Sequence, residues 1–347
     1  MYHSTPFRLL LFLLSAVLAA EARSGVDPLF ASNETLEVTL EAPFADLMRK
    51  RDEQQEEPGK IRYTDADGTT VELDVKVRVR GKFRARRDIC DFTPIRLNFR
   101  TSEVKETLFA KQDKLKLVTH CDTRSTAYEQ AVIKEYLTYR ILNLMTDFSY
   151  RARLLRITYS YSDSNREIES YAFFIEDDER LGKRIEQQLV TTNKLRISDL
   201  QPEYTNLVSV FQYLVGNTDF SPIAAASGLD CCHNHTPYSA DSEVFYSIPY
   251  DFDQCGIVDV AHASPNPRFK LRSVRQRLYR GRCINNELLP TTFELFRGKR
   301  TDLEALVTNQ AELSSKTGRS IENYLESFYE IIDNPKKVQR SIVKRCN

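Results

Sequence analysis

The hydrophobic and polar positions of this chain change period along its length. Between residues 71 and 79, apolar residues alternate with charged ones, and an alternation with period two is typical of a strand that buries one face. The apolar set is Val71, Leu73, Val75, Val77 and Val79. The DADG tetrapeptide before this segment is typical of a hairpin turn. Further strands are predicted at LEVTLEA, FTPIRLNF, KLKLVTH, RLLRITYSY and ESYAFFIEDD.

The period changes to that of a helix over residues 126 to 146, where the apolar residues form one stripe. The stripe consists of Ala127, Val132, Ile133, Tyr136, Leu137, Ile141 and Leu144. Later segments, QPEYTNLVSVFQYLVG, TDLEALVTNQAELSS and IENYLESFYEIID, also suit helices. This order predicts an α+β protein with a strand-rich N-terminal lobe over residues 23–180 and a mainly helical C-terminal lobe over residues 181–347.

The first residues predict a secretory signal peptide over residues 1–22. Arg8 precedes the short apolar run LLLFLLSAVLAA, and Ala20-Glu21-Ala22 forms a small-x-small cleavage site. The apolar run is too short to anchor the chain in a bilayer, and no later stretch approaches the length of a membrane span. We therefore expect an exported protein, periplasmic or secreted, with no transmembrane segment after signal cleavage.

Composition excludes several classes of function. The chain contains 49 basic and 49 acidic residues, and this balance argues against a nucleic-acid partner. Only 11 glycines are present, and neither GxxxxGK[ST] nor GxGxxG occurs, which excludes the common glycine-rich nucleotide loops.

The seven cysteines are expected to form disulfides in an exported protein, with at least one left over. Cys90 and Cys121 suit a local bridge, and Cys283 with Cys346 is one option among several for the others. A zinc site at the cluster of Cys231, Cys232, His233 and His235 is not expected, because adjacent ligands give poor tetrahedral geometry.

Three polar signals lie between Gly216 and Gly256. The stretch contains GNTDF, then HNH, then IPYDFDQCG, between the apolar flanks FQYLV and VFYSI. Phosphoryl transfer needs one carboxylate to orient an attacking hydroxyl, and further oxygen ligands to hold magnesium against phosphates. Asp219, Asn234 and Asp251 supply these groups in that order. Ordinary turn chemistry is the alternative for both acids.

These residues resemble the spore-coat protein H (CotH) kinase-like family. The resemblance covers roughly residues 70 to 285 and rests on GNTD, the following HN and PYDFD; VRVRGKFRARR and AFFIEDDE match loosely. It implies a bilobal kinase-like fold, with Asp219 as catalytic base and Asn217 bracing its loop. It also implies Asn234 and Asp251 as ligands of Mg²⁺ or Mn²⁺, with Asp253 as a further ligand.

The nucleotide-contacting positions are less well determined. Lys116 is the best candidate for the cation that binds the phosphates of ATP, and Arg96 is the other option. Glu135 or Glu129 could pair with that cation. Glu176 lies at the strand leading into the hinge and is a further candidate for nucleotide contact. The chain departs from the kinase loop H-R-D-x-x-x-x-N, because fourteen residues separate Asp219 from Asn234. Asn217 is therefore an alternative ligand.

The sequence thus predicts an exported phosphotransferase that moves a phosphoryl group from ATP to a hydroxyl of a protein or glycan. One alternative is a non-catalytic kinase-like binding module for a nucleotide, a glycan or a protein partner. Another is a metal-dependent hydrolase that uses Asp219, Asp251 and Asp253.

Overall fold

The computed structural model describes residues 26–347, and the predicted signal peptide lies outside these residues. Seven strands in the first half of the described chain form a closed β-barrel. They are β1 (Leu36–Ala42), β2 (Glu57–Thr64), β3 (Thr70–Val79), β4 (Ile95–Phe99), β5 (Lys114–Val118), β6 (Ala152–Tyr161) and β7 (Glu167–Ile175). Their order around the barrel is β1-β2-β3-β4-β5-β7-β6.

The barrel closes through a parallel pairing between its first strand and β6. Leu36 faces Leu155 at one end of this pairing, and Ala42 faces Tyr161 at the other. All other neighbouring strands of the barrel are antiparallel. Closure leaves none of the seven strands with an unpaired edge, so the backbone groups of the sheet are satisfied within the barrel.

Helices and a second, small sheet make up most of the remaining regular structure. The helices are α1 (Pro28–Ala31), α2 (Phe44–Lys50), α3 (Thr126–Met145), α4 (Asp178–Arg184), α5 (Pro202–Val215), α6 (Leu289–Gly298), α7 (Arg300–Thr308), α8 (Ser315–Ile332) and α9 (Pro335–Ser341). The small sheet contains β8 (Gln188–Leu189), β9 (His235–Ser239) and β10 (Tyr246–Pro249), with β9 in the middle. Short 3-10 turns lie at Ile197–Asp199, Cys283–Leu288 and Val343–Arg345.

This architecture corrects the predicted fold class. The bilobal kinase-like fold with a mainly helical C-terminal lobe is wrong, because the described chain combines a closed seven-stranded barrel with mixed helices and strands. Alternation along a segment identifies the buried face of a strand, but it does not identify the strand's neighbours. The sequence therefore predicted most of the strands correctly without indicating that the first of them returns to β6 and closes the sheet.

Two hydrophobic cores meet at β7, because successive side chains of a strand point to opposite faces. Ala172 and Phe174 belong to the core inside the barrel. Phe173 and Ile175 belong to a second core, which α3 and the later helices share. The strands β5 and β6 also contribute residues to both cores, so the barrel and the helical part of the chain share one continuous side of the sheet.

The strand β2 was not predicted, because the charged run RKRDEQQEEPGK, whose last four residues begin this strand, shows no alternation of apolar and polar positions. Its hairpin with β3 turns at the predicted DADG, where Gly68 has a positive φ of 86° and donates its N–H to Asp65 O at 2.9 Å. Gly59 lies where β2 approaches β1 closely. A Cβ atom at this position would lie 2.6 Å from Glu41 O.

The predicted Cys90–Cys121 and Cys283–Cys346 disulfides are both present. A third disulfide links the neighbours Cys231 and Cys232, and Cys255 is buried as a free thiol. Disulfides of this number fit a protein that folds in an oxidising, extracellular compartment. Across residues 26–347, no helix has both the length and the apolar character needed to cross a membrane.

We predict that Gly59→Ala lowers the free energy of unfolding by about 1–3 kcal/mol, because the new methyl group is forced against the backbone of β1. The matched control is Gly298→Ala at the end of α6, where a Cβ atom has no neighbour within 4 Å. The control is expected to be neutral or stabilising by up to about 1 kcal/mol. Urea unfolding of both variants measures the difference, and equal stabilities would contradict the close approach of β1 and β2.

A second prediction concerns His120, which is 1% exposed and stacks on Phe92 with a centroid distance of 4.8 Å. Burial lowers the pKa of His120 from 6.5 to about 4. Between these values the unfolded chain binds a proton that the folded chain does not, so stability falls as the pH falls through this range. As the pH falls through this range, the free energy of unfolding of wild type should therefore fall by about 3 kcal/mol more than that of His120→Leu. Urea unfolding at neutral and acidic pH measures this change, and parallel pH profiles for the two proteins would contradict it.

Candidate functional site

A cleft of about 690 Å³ lies between the barrel and the segments that follow α5. One wall comes from the barrel strands and the loop after β3, the floor includes part of α3, and the other wall comes from residues 218 to 254. The charged and amide side chains that line the cleft on these elements include Arg80, Lys82, Arg84, Lys116, Glu135, Asp219, Asn234, Asp251 and Asp253. The cationic groups of the cleft therefore come from the barrel strands and the loop after β3, and the carboxylates come from α3 and from residues 218 to 254.

The loop that carries Asp219 begins where α5 ends. Gly216 ends the helix with a left-handed φ of 69°, a conformation that glycine adopts without steric cost. Asn217 is 1% exposed, and its Oδ1 accepts a hydrogen bond from the N–H of Asp219 at 2.9 Å. Asn217 does not line the cleft, and its contact is the kind that a bracing residue makes.

The side chain of Asp219 has two partners from the HNH segment. His233 Nε2 lies 2.9 Å from Asp219 Oδ1, and Asn234 Nδ2 donates to Asp219 Oδ2 at 3.2 Å and to its backbone oxygen at 2.7 Å. The hydrogen bond to Asp219 raises the pKa of His233. The fourteen residues between Asp219 and Asn234 thus loop out and return. Because the amide nitrogen of Asn234 points to Asp219, its side-chain oxygen is the atom left for another ligand.

The opposite part of the acidic wall is formed by Asp251 and Asp253, directly after β10. Asp251 has a left-handed φ of 60°, and its N–H donates to the hydroxyl of Tyr139 on α3 at 2.9 Å. Its carboxylate is accessible from the cleft. Desolvation by the surrounding protein, and then the negative charge of Asp253, raise its pKa to about 7. Burial, and then Asp253 and Asp251, raise the pKa of Glu135 on α3 well above its ordinary value.

These carboxylates do not form a closed metal cage by themselves. In the part of the chain that the structure describes, the one set of three or more His, Cys, Asp or Glu ligand atoms within 4.8 Å of one another is Cys90, Cys121 and His262. The acids of the cleft are more widely spaced than that. A cation bound among them would therefore need ligands from a second molecule or from water.

Lys116 of β5 lies on the cationic wall, but its acidic partner differs from those predicted. Its Nζ is 2.9 Å from both carboxylate oxygens of Asp178, the first residue of α4. It also lies over the rings of Tyr150 and Tyr250, at 5.9 and 5.7 Å from their centroids. Glu135 and Glu129 of α3, the predicted partners, are replaced in this role by Asp178, which sequence reasoning missed.

Two of the predicted nucleotide-contacting residues lie outside the cleft. Arg96 pairs with Lys116 in the β4–β5 register, and burial lowers its pKa, but it does not line the cavity. Glu176 is buried in an ion pair with Arg184 at 2.8 Å, and it accepts the N–H of Arg151 at 3.0 Å. Glu176 therefore joins α4 to the start of β6. Its observed contacts are structural.

Sequence reasoning also missed the basic loop after β3. Arg80, Lys82 and Arg84 all line the cleft, and the Cys90–Cys121 disulfide ties the end of this loop to the residues after β5. The Nε atom of Arg84 is buried without a hydrogen-bond partner. The sequence RGKFRARR, dense in cations immediately after a strand, was the available signal.

Arg280 supports the Asp219 loop from behind. Its Nη1 donates to the carbonyl oxygens of Thr218 at 2.9 Å and Phe220 at 2.6 Å, one on each side of Asp219. Its guanidinium lies over the rings of Phe220 and Phe269, at 4.5 and 4.8 Å. One arginine of the dense run between residues 268 and 282 thus fixes the backbone at the candidate site.

Comparison of the chain with protein-family models, curated proteins and solved structures gives no match. The resemblance of GNTD, HN and PYDFD to the CotH family therefore stays a prediction from those motifs.

We predict that Arg280→Met loosens the Asp219 loop. Two carbonyl oxygens lose a charged donor, and the free energy of unfolding should fall by about 2–3 kcal/mol. Hydrogen–deuterium exchange of the peptide covering residues 217 to 221 should become faster. The matched control is Arg272→Met, which removes an exposed guanidinium from the same run and should leave exchange at this peptide unchanged. Equal exchange in the two variants would contradict the supporting role of Arg280.

Proposed function

We propose that the cleft binds a nucleotide together with Mg²⁺ or Mn²⁺ and transfers the terminal phosphoryl group of ATP to a hydroxyl of a protein or glycan. The observation that carries the proposal is that cations of the barrel side and carboxylates of the later segment line one cleft, because a nucleotide phosphate chain needs both cations and metal-binding carboxylates around it.

The cationic wall suits the phosphates. Lys116 is held in place by Asp178 and two tyrosine rings, and Arg80 and Arg84 come from the tethered loop. The buried Nε of Arg84 has no hydrogen-bond partner, and an unpaired buried donor at a cleft wall is stabilised by an anionic oxygen. These groups would orient the phosphate chain and neutralise part of its charge.

The acidic wall fits a divalent ion that keeps phosphate and water among its ligands. Asp251, Asp253 and the side-chain oxygen of Asn234 are hard oxygen donors, which Mg²⁺ and Mn²⁺ prefer. Mg²⁺ is commonly held by one or two carboxylates plus substrate phosphates, so the wide spacing of the acids suits such a site. When bound, the ion would supply charge neutralisation at the phosphoryl group.

In this proposal Asp219 accepts the proton of the attacking hydroxyl. Its backbone is fixed by Asn217 and Arg280, and its carboxylate is oriented by His233 and Asn234. Fixing both the main chain and the side chain of a base reduces the cost of aligning it with the acceptor. The acceptor would enter from the side of the cleft that carries the HNH segment.

The three disulfides support export of the protein, and we place its activity in the periplasm or outside the cell. ATP must then be supplied in that compartment.

A second candidate function is nucleotide binding without transfer. It is favoured by the two internal partners of Asp219, which occupy both carboxylate oxygens in the described structure. This candidate requires the same cations and carboxylates for binding, but it does not require Asp219 as a base.

The test is thermal unfolding with and without ATP and Mg²⁺. Ligand at a hundred times its dissociation constant adds about 2.7 kcal/mol, which should raise the melting temperature of wild type by several degrees. Asp251→Asn and Lys116→Met should abolish most of the shift. Glu322→Gln, a control that removes an exposed carboxylate from α8, should retain it.

Transfer is measured separately with labelled ATP and a mixture of protein and glycan acceptors. Asp219→Asn should keep the thermal shift and lose transfer by about 100-fold or more, because loss of a general base removes that much. A shift with no transfer in wild type would select the binding module. No shift in wild type with either Mg²⁺ or Mn²⁺ would overturn both candidates.

A further inference from the structure

The cluster of Cys90, Cys121 and His262 lies beside the cleft and is not used by the proposed function. Its three potential ligand atoms lie within 4.8 Å of one another. His262 Nδ1 is 3.6 Å from Cys121 Sγ. In the described structure the two sulfurs are joined as a disulfide, which has no thiolate to offer a metal.

His262 is enclosed by neighbouring side chains. Its side chain is 6% exposed, and its ring lies near the rings of Tyr128 and Phe83, with centroid distances of 6.0 and 5.9 Å. Its Nε2 atom is buried without a hydrogen bond, 3.5 Å from Asp253 Oδ2. A hydrogen bond between these two atoms would fix the tautomer of a metal-bound imidazole.

A small cavity adjoins the cluster and is lined by Cys121, Asp253 and His262, among others. Its volume is about 10 Å³, close to the space that one water molecule occupies. The site therefore combines two sulfurs, one oriented ring nitrogen and room for one small extra ligand.

We propose that reduction of the Cys90–Cys121 disulfide converts this cluster into a binding site for Zn²⁺ or a similar borderline-soft divalent metal. A dithiol reductant gives two electrons and two protons to the bridge, so that the S–S bond breaks, two cysteine thiols form and the reductant becomes a disulfide. Metal binding then releases the two thiol protons. The ligands are Cys90 Sγ, Cys121 Sγ and His262 Nδ1, with water in the fourth position and Asp253 orienting the imidazole.

The change in geometry that this requires is small. Two thiolates at about 2.3 Å from a tetrahedral zinc ion lie about 3.8 Å apart. The Cα atoms of Cys90 and Cys121 lie 4.6 Å apart, so rotation of the two side chains after the bond breaks can direct both sulfurs to one ion.

Within residues 26–347, neither of the other two disulfides belongs to such a group of three potential ligands. Cys346 contacts the amide of Asn286, at 3.4 Å. The ring of His233, next to Cys232, is turned to Asp219, and His235 Nδ1 lies 2.9 Å from Ser247 O. These bridges therefore serve as matched controls, because their reduction also releases two thiols.

The experiment uses the full mature chain, reduced with a dithiol, freed of the reductant under anaerobic conditions and titrated with Co²⁺ as a spectroscopic substitute for zinc. We expect a near-ultraviolet thiolate-to-cobalt charge-transfer band that saturates at one ion per chain and disappears when Zn²⁺ is added. Without reduction the band should be absent. Since no nucleotide is present, the result is independent of phosphoryl transfer.

Cys90→Ser with Cys121→Ser should abolish the band, whereas Cys231→Ser with Cys232→Ser, and Cys283→Ser with Cys346→Ser, should keep it. His262→Ala leaves the disulfide in place and tests the site if the serine pair fails to fold. It should weaken cobalt binding by at least about 10-fold, and Asp253→Asn by about 10–100-fold. An absent band in reduced wild type, or a band of wild-type strength without Cys90 and Cys121, overturns the proposal.

Discussion

The carboxyl end of α5 is the point on which the geometry of the cleft depends. The carbonyl oxygens of Val215 and Gly216 accept the N–H groups of Ile257 and Gly256, at 3.0 and 3.1 Å. Arg277 donates to Leu214 O and Tyr324 O and lies over the ring of Tyr324. Asp219 follows this junction and Asp253 precedes it, so a few backbone hydrogen bonds fix the two acidic segments against each other. The orphan carbonyls of a helix end are thereby satisfied by the segment that completes the site.

The charged groups of the cleft shift one another's pKa values. Carboxylates gathered at one wall raise one another's pKa values, as Asp253 does for Asp251 and Glu135. Arg80 and Arg84 on the facing loop oppose this effect for the same two acids. A site with this balance favours a ligand that carries both signs, because a cation satisfies the acids and an anion satisfies the arginines. A metal–phosphate complex has that character. A neutral substrate would leave both walls uncompensated.

The sequence predicted the local elements well and their assembly poorly. Alternation between Val71 and Val79 identified β3, and the helical stripe identified α3, because both patterns depend on burial of one face. Asp219, Asn234 and Asp251, which the motifs singled out, line one cleft, and their roles stay predictions. Long-range pairings carry no local pattern, so neither the β1–β6 closure nor the contact between Lys116 and Asp178 could be predicted. Arg280 acts on two carbonyl groups about sixty residues earlier in the chain, and no local pattern indicates such a contact.

The parallel pairing of β1 with β6 also sets the order in which the barrel can assemble on a chain that emerges from its amino end. β1 pairs with β2 across a connection of residues 43–56 that contains α2, but its other edge has no partner until residues 155 to 161 are available. Until then, an extended strand with unpaired N–H and C=O groups is open to neighbouring chains. Long-range closure is also slow relative to local helix formation. Production of this protein therefore depends on shielding one nascent strand edge until nearly half of the polypeptide has appeared.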